Sequence, residues 1–516
     1  MKKIVVFLCL INIMISCDSD FLSRDPLVNL SPNNFFNNEE ECKVFMTSFY
    51  NKITYQDYTF LDEYTDDVYS VAQVGGSGQR FLQGDLHSYD SYARDRWRKN
   101  YQNIGNANLA INSIEQQVAI EESVRKRFVA EAKFFRAYYY YDLIALFGDC
   151  PLVLTNPSVS ENLTPERCPK DQVLQQVLSD LDYSIENLPI SYEGNDIGRV
   201  TKGAALAFKT RVLMFFSQYE KASEAAKACI DLGIYELFPD FRGLFLEGNE
   251  YNKEVIFDKG YLKDILPSGR NMNIVTQDMY LPTVSLANEY EMTNGEMITS
   301  ENSGFDPLNP FNNRDSRLSS TILLPGEIKE GLYNPDGTPL IFIPANDLSV
   351  TSMRLKKSAD YTDQVNGNSG TNFIILRYAD VLLMYAEALN ELNGPVAEVY
   401  NAVNQVRKRA GQPDLKSGLT KEMMREKIRH ERRVEFAGEG LRYFDIVRWQ
   451  IADEVFAKDL EGYEKQNLIN PNNSEDWQFV IKSILNTNWN KDKGYLWPIP
   501  GEEILLNKKL TQNPGY

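Results

Sequence analysis

The sequence predicts a mainly α-helical protein in which four helical hairpins pack against an irregular, loop-rich part. Apolar residues recur at helical spacing in four stretches, about 91–147, 170–219, 372–410 and 420–452. Between about 235 and 371 this pattern gives way to Gly, Pro, Asn and Tyr with short apolar runs. Because that stretch is too long for a plain connection and too aromatic for a disordered segment, we expect it to be folded and functional.

The first residues have the layout of a secretory signal. A basic start precedes an apolar run over residues 4–15, which is too short to cross a bilayer as a helix. Residues 14–17, Met-Ile-Ser-Cys, resemble a bacterial lipobox, whose cysteine carries lipid after cleavage. We therefore predict a signal peptide over 1–16 and lipidation of Cys17. The alternative is ordinary signal cleavage that leaves Cys17 as a thiol.

A tether and one large folded unit follow. Residues 17–38 carry Pro26, Pro32 and several Asn with little periodicity, which favours an extended tether, and a helix is expected from about Glu39. We expect residues 39–516 to form one unit that also contains an irregular stretch at about 55–90. Within residues 39–516, the N-capping residues Thr201 and Thr420 mark helix starts, and Gly148 and Gly411 mark helix ends.

The hairpins are similar in size to tetratricopeptide-type helix pairs, although no clean 34-residue repeat is present. A short helix over 221–232 is predicted to follow the second hairpin.

Few cysteines remain for cross-links, because Cys9 departs with the signal peptide and Cys17 takes the lipid. Export permits a disulfide between Cys150 and Cys168, yet four cysteines allow three full pairings, and free buried thiols are an equal alternative. The four are Cys42, Cys150, Cys168 and Cys229.

Composition excludes several classes of function. The formal net charge of −18 disfavours nucleic acid and anionic membrane surfaces as primary partners, because both repel an acidic protein. Only two histidines are present, His87 and His430, so His-rich metal sites are excluded. We predict no cofactor. A structural calcium ion stays open, since Asp306–Asp315 and Asn334–Gly337 are rich in oxygen ligands but lack a complete calcium loop.

Three motifs occur in order along the second half of the chain. They are RYADVLLMYAEA at 377–388, IRHERRVEFAGEGLRYFDIVRW at 428–449, and the closing YLWPIP at 495–500 with NPGY at 513–516. With these motifs the chain resembles, over essentially its whole length, the SusD/RagB family of outer-membrane nutrient-binding lipoproteins of Bacteroidetes. The acidic Asp18-Ser19-Asp20 after Cys17 is likewise similar to the surface-export signal of Bacteroidetes lipoproteins.

The resemblance implies an α-helical fold with four tetratricopeptide-type pairs and a ligand site in the irregular part. It also implies a role as the lid of a TonB-dependent transporter barrel. The function expected from it is non-catalytic capture of oligosaccharides at the cell surface and their delivery to that transporter. The protein would be anchored in the outer membrane by lipid and would face the cell exterior.

Aromatic residues are the candidate sugar contacts, because a sugar has an apolar CH face and a polar hydroxyl rim. Trp97 and Asn100 lie one turn apart at a predicted helix start and can point at one spot, and the resemblance implies that an aromatic and an amide at this place face ligand. The alternative places Trp97 in the core as an anchor. The other candidates are Asp67 and Arg80, with Asp66, for hydroxyls and Tyr280, Tyr290, Phe305 and Phe311 for an aromatic surface.

Two other functions compete with glycan binding. Glu431, Glu435 and Glu439 recur at i, i+4 and i+8, and paired carboxylates can hydrolyse glycosides. Arginines crowd these acids, so we expect them to remain ionised in a structural ion-pair network rather than act as a general acid. The same scaffold can also bind peptides. Without residues 1–16 the chain has 52 basic and 72 acidic residues, and the charge of −20 would favour basic peptides.

Overall fold

The computed structural model describes residues 36–70, 76–155, 164–275, 279–344, 349–361, 367–468 and 477–516. The predicted signal peptide, the lipid site Cys17 and nearly all of the tether lie outside these residues and stay predictions. The chain is mainly helical, as predicted. No helix among the described residues is both long enough and apolar enough to pass through a bilayer.

The first half of the chain supplies two of the predicted hairpins. Asn38 caps the helix at its expected start, because its side chain accepts a hydrogen bond from the Glu41 amide. Asp90 caps the long helix of the first hairpin in the same way, and Thr201 caps a helix of the second. The helices are α1 (Glu39–Lys52), α2 (Gln56–Asp62), α3 (Ser77–Leu82), α4 (Ser91–Glu115), α5 (Glu122–Phe147), α6 (Lys170–Asn187), α7 (Lys202–Phe215) and α8 (Tyr219–Ile230).

The predicted start of the third hairpin is wrong. Residues 373–377 form strand β8 (Phe373–Arg377), which pairs antiparallel with β2 (Val255–Lys259) and is buried throughout. A short run of four apolar residues before Arg377 has no periodicity that separates a buried strand from a helix. The helices of this hairpin begin afterwards, as α12 (Tyr378–Asn393) and α13 (Ala397–Arg409).

Both helices predicted for the fourth hairpin are present, with a tight reversal between them. Helices α14 (Lys421–Phe436) and α15 (Arg442–Trp449) are joined by a turn in which Gly438 and Gly440 both have φ +77°. A Cβ at Gly440 would lie 2.4 Å from the Tyr58 carbonyl oxygen, so only glycine allows α2 to approach the turn. Helix α16 (Ala452–Val455) follows directly.

Between and after the hairpins the chain forms short elements. The helices are α9 (Arg270–Val275), α10 (Val284–Glu289), α11 (Ser316–Thr321) and α17 (Gly501–Leu506). The remaining strands are β1 (Val68–Tyr69), β3 (Leu281–Pro282), β4 (Ile322–Leu323), β5 (Ile328–Tyr333), β6 (Pro339–Ile341), β7 (Arg354–Leu355), β9 (Leu460–Tyr463) and β10 (Ile481–Leu485). They join in antiparallel pairs, β1 with β3, β4 with β7, β5 with β6 and β9 with β10.

The helices of the hairpins pack into one continuous array. Helices α4 to α8 pack each on the next, and α8 packs on α12, which also contacts α13 and α14. The hairpins from the two halves of the chain therefore join at the α8–α12 contact. The largest apolar core runs through this array, and a smaller core around Tyr290, Tyr463 and Trp477 supports the irregular part.

Candidate functional site: an aromatic cleft

Trp97 and Asn100 lie inside the core. Trp97 is 3% exposed, with its ring centroid 5.0 Å from that of Tyr101 and 5.1 Å from that of Phe147. The Asn100 side-chain amide donates a 2.6 Å hydrogen bond to Asp142. The prediction that this pair faces a ligand is wrong, because the face of α4 that carries both residues packs against α5; Trp97 is the buried anchor of the alternative interpretation.

The predicted hydroxyl-binding groups are committed to ion pairs. The Arg433 guanidinium donates to Asp67 at 2.9 Å and to Asp66 at 2.7 Å, and both carboxylates are buried. Arg80 donates to Asp90 at 2.6 Å. These contacts tie the α2 and α3 region to α14 and α4. Asp67 and Arg80 therefore have structural roles here and do not line the cleft described below.

Two of the four predicted aromatic contacts are also buried. The Tyr280 hydroxyl hydrogen-bonds to that of Thr59 at 3.1 Å, and the ring is 2% exposed. Tyr290 is fully buried, and its hydroxyl donates to the Val434 carbonyl at 3.4 Å. As ligand contacts both predictions are wrong, because the short elements of the middle region have a core of their own, which these tyrosines fill.

The structure does bring Phe311 into an open cleft of about 380 Å³. The cleft lies between a loop at 308–315 with the start of α11, a turn at 324–327 and a C-terminal segment at 477–479. The half-buried rings of Phe311 and Phe479 meet edge to face, with centroids 5.2 Å apart. The volume falls in the range of roughly 300–1,000 Å³ that small-molecule sites occupy.

Arg314 holds the loop that carries Phe311. Its guanidinium donates to the carbonyls of Pro310 at 2.6 Å, Ala287 at 2.7 Å and Tyr290 at 2.7 Å. Burial lowers the pKa of Arg314 to about 10, so the group remains charged at neutral pH. The Phe305 ring lies 5.8 Å from this guanidinium, which makes Phe305 a support for the cleft rather than a part of its lining.

Trp477 forms the deep end of the aromatic wall, and a glycine makes room for it. Gly326 has φ +87°, and a Cβ there would lie 3.2 Å from the Trp477 ring. The Trp477 ring is 8% exposed and lies 6.4 Å from that of Phe479. A side chain at Gly326 would displace the indole, so this turn fixes the shape of the cleft.

Polar groups surround the rings. Asn309, Asn312, Ser316, Ser319 and Glu327 line the cleft. The exposed side-chain amide of Asn312 has no hydrogen-bond partner among the described residues. Its donors and its acceptor are therefore open to solvent or to a ligand. Aromatic plates with amides and hydroxyls at their edge match a sugar ring in both its apolar and its polar surfaces.

Sequence reasoning missed Trp477 and Phe479. The alternation Trp477-Gln478-Phe479-Val480 before β10 is a strand-like signal that exposes every second side chain. Where those side chains go depends on the antiparallel pairing of β10 with β9, which brings the segment beside the 308–327 region. Such a long-range pairing cannot be read from local spacing.

The three glutamates of α14 and the following turn form the expected ion-pair network. Glu431 and Glu435 are fully buried, and Glu439 is 7% exposed. Burial favours a higher pKa for Glu435, but Arg409, Arg377 and Arg317 lower it well below its ordinary value. The pKa of Glu439 is lowered similarly, against burial, by Arg377 and Lys357. Among the described residues, the buried cations Arg317, Arg377, Arg407 and Lys357 contact these carboxylates, as does Arg409, whose side chain is 4% exposed.

In the oxygen-rich turns considered for calcium, aspartate side chains accept hydrogen bonds from nearby residues of the same turn. Asp306 accepts from the Leu308 amide and Asn309, and Asp336 accepts from Thr338. No group of three or more His, Cys, Asp and Glu within the described residues has the geometry to hold a metal ion.

Comparison with known protein families gives two matches that follow each other along the chain. Residues 20–214 match a family described as "Starch-binding associating with outer membrane", and residues 248–516 match the "SusD family". The second match covers more than half of the chain. The chain belongs to the SusD family.

Relatives and solved structures agree with this SusD-family assignment. The SusD-like protein P2 of Formosa agariphila is 27% identical over the full length of both chains. A SusD-like protein from Bacteroides fragilis has a TM-score of 0.83 at 29% identity, covering 96% of this chain and 100% of that chain. A SusD-like carbohydrate binding protein from the same species has a TM-score of 0.81 at 25% identity, covering 92% and 100%. The resemblance expected from the sequence motifs is confirmed.

In this SusD-family chain the recognisable motifs lie in the frame and not in the cleft. Arg377 of the first motif bonds Glu435 and Glu439 of the second, and Trp497 of the third donates to Tyr443 at 2.9 Å. The cleft residues lie outside all three motifs. The motifs therefore identify the scaffold, and the ligand must be inferred from the cleft.

Proposed function

We propose that this SusD-family protein is a non-catalytic receptor that captures oligosaccharides at the outer membrane and passes them to a TonB-dependent transporter. The observation that carries the proposal is the aromatic cleft, in which Phe311, Phe479 and Trp477 face a rim of amides and hydroxyls. The family described as starch-binding at the outer membrane, and a carbohydrate binding structural relative, support the ligand class. The lipobox at Cys17 supports a lipid anchor on the cell surface.

The chemistry of the cleft suits reversible capture. Half-exposed rings shield the apolar face of a sugar from water, while the open Asn312 amide replaces water that the sugar hydroxyls lose. Two platforms with a few hydrogen bonds correspond to dissociation constants from micromolar to millimolar, about −8 to −4 kcal/mol. A receptor that hands its ligand to a channel needs binding of this modest strength.

The acids of the protein support binding over hydrolysis. A glycosidase needs a protonated carboxylic acid and a second carboxylate on opposite sides of the scissile bond. Glu435 and Glu439 are buried and held ionised by arginine and lysine, and in the cleft Asp315 is bound by Arg317 at 2.7 Å. These groups are therefore assigned to structural support.

The proposal is tested by affinity electrophoresis in gels that contain soluble starch, laminarin or other neutral polysaccharides. The wild-type protein should be retarded by at least one of them. Phe311→Ala and Phe479→Ala should weaken that retardation tenfold or more, about 1.4 kcal/mol. Tyr333→Ala is the control, because Tyr333 is 67% exposed on the β5–β6 hairpin, away from the cleft. Equal loss in all three variants, or loss in none, removes the cleft from the site.

Peptide binding is the second candidate, and the net charge of −18 is the observation that favours it. A column of immobilised lysine-rich and arginine-rich peptides distinguishes the two. Retention on that column without retardation by any polysaccharide would replace the glycan proposal by this one. Release of reducing ends from the polysaccharides would show that the protein is an enzyme.

A further inference from the structure

Cys150 and Cys168 lie directly opposite each other across an isolated antiparallel bridge. The Cys150 amide donates to the Cys168 carbonyl at 3.2 Å, and the Cys168 amide donates to the Cys150 carbonyl at 3.0 Å. Residues that exchange both hydrogen bonds have Cα atoms about 5.5 Å apart and side chains on the same side of the ladder. That separation is near the middle of the disulfide range of roughly 4.4–6.8 Å.

The backbone around both cysteines is held in place by other contacts. Tyr101 donates to the Pro151 carbonyl at 2.8 Å, directly after Cys150. Arg167, directly before Cys168, donates to the Asp149 carbonyl at 2.8 Å. The Lys170 amide donates to the Asp149 side chain, also at 2.8 Å. Both chain segments are therefore fixed, but the Cys168 thiol donates to the Gln172 side chain at 3.1 Å. Closing a bond needs the Cys168 side chain to rotate away from Gln172 and a small approach of the Cβ atoms.

We propose that Cys150 and Cys168 are an oxidisable pair that a disulfide-type oxidant converts into an intrachain disulfide. Both are free thiols in this structure. The proposal concerns the scaffold alone and does not depend on the ligand of the cleft. An exported protein meets oxidising conditions in which such a bond persists.

The two thiols differ in access, which sets the order of the steps. Cys168 is half-buried, whereas Cys150 is fully buried, and burial raises the pKa of its thiol to about 12. The Cys168 thiolate attacks one sulfur of the oxidant disulfide, forms a mixed disulfide and releases one thiolate. Cys150 then loses its proton and attacks the Cys168 sulfur, which releases the second thiolate. The two cysteines lose two electrons and two protons, and the oxidant becomes two thiols.

The other described cysteines have no comparable position. Cys42 is buried in α1 and Cys229 in α8, where its thiol points at the Gly203 carbonyl at 3.7 Å. The new bond would close the loop between α5 and α6 and so restrict the unfolded chain. It would also brace the C-terminal segment, since Arg167 reaches Thr511 and Asn513.

The test uses the purified full chain, fully reduced and then incubated with oxidised glutathione. Trypsin cuts on both sides of Cys168, so a non-reducing digest should yield peptide 137–167 joined to peptide 168–170. The joined mass should be two hydrogens below the sum of the free peptides, and dithiothreitol should separate them. Oxidation should raise Tm by about 3 °C relative to the reduced protein.

Cys168→Ser removes the accessible thiol at a half-buried position and should abolish both the joined peptide and the rise in Tm. Cys42→Ser should preserve both. If Cys150 and Cys168 are each alkylated after oxidation and unfolding, or if Cys168 stops at a glutathione adduct, the proposal is overturned. Binding of polysaccharide is measured on the same samples, so failure of this proposal is separate from failure of the glycan proposal.

Discussion

At the scale of single residues, Arg377 is the cation at which three buried carboxylates meet. It donates to Glu254 at 2.9 Å, to Glu435 at 2.6 Å and to Glu439 at 2.8 Å. Removing one partner of a buried ion pair is far more costly than removing a surface pair, because the remaining charges stay buried. The family motifs therefore depend on each other through this one side chain.

Arg377→Met should lower the free energy of unfolding by about 3–5 kcal/mol, since the three carboxylates lose their shared partner. Urea denaturation followed by circular dichroism measures the change. Arg98→Met is the control, because Arg98 pairs with Glu502 and Glu503 at the surface and its side chain is 45% exposed. That variant should lose far less stability than Arg377→Met, because an exposed ion pair is screened by solvent. Equal losses in the two variants would contradict the structural role of the network.

Glu63 makes stability depend on pH. The residue is 5% exposed, one carboxyl oxygen has no partner among the described residues, and burial raises its pKa from 4.5 to about 8. The folded protein therefore holds a proton that the unfolded chain releases near pH 4.5. This contribution to stability is complete below that value and is lost as the pH rises toward 8.

Glu63→Gln keeps the shape of the protonated group and should raise Tm at about pH 8 while changing it little near pH 4. Thermal unfolding across this pH range provides the measurement. Glu115→Gln, at an exposed position on α4, should show no such difference between the two pH values. A constant effect of Glu63→Gln at every pH would mean that the carboxyl is not protonated in the folded protein.

At the scale of elements, the turn between α14 and α15 requires glycine at position 440. Gly440 and Gly418 both have positive φ, but only Gly440 has backbone within reach of an added Cβ. Gly440→Ala should therefore cost clearly more than the roughly 1 kcal/mol that a left-handed alanine costs, which is the change expected for Gly418→Ala. Chemical denaturation of both variants tests this, and equal costs would refute the close approach of α2.

The elements also show what can be predicted from sequence. Long helices with regular apolar spacing and clear caps, such as α5 and α14, were predictable because local periodicity and capping determine them. Strand β8 was not, because a run of four apolar residues carries no period. Trp97 was misjudged for a related reason: periodicity places it on a helix face, but only the packing of α4 on α5 decides whether that face meets solvent.

The candidate site was only partly predictable. Phe311 lies in the irregular stretch where ligand contacts were expected, and the structure places it in the cleft. Trp477 and Phe479 come from a segment more than 150 residues away and reach the cleft through the β9–β10 pairing. Asp67 and Arg80 are polar residues in the predicted loop region, but their ion pairs with Arg433 and Asp90 could not be anticipated without the fold.

At the scale of the whole molecule, net charge and ligand charge decide how binding responds to salt. The chain carries −18, so attraction of a basic peptide should weaken as salt screens it, whereas a neutral glycan has no such contribution. We expect the apparent affinity for a neutral polysaccharide to be unchanged between about 50 and about 500 mM sodium chloride. Isothermal titration or affinity electrophoresis at both salt levels tests this, and a steep decline would favour the peptide proposal.

The separation of frame and cleft has a practical consequence. Residues 308–312 and 477–479 are two short stretches that line the cleft. The ion-pair network of Glu431, Glu435 and Glu439 lies elsewhere. Under the glycan proposal, transplanting these two stretches from a relative of known sugar selectivity should transfer that selectivity without rebuilding the scaffold. A gene survey based on the shared motifs would accordingly collect proteins of one architecture without specifying what each of them binds.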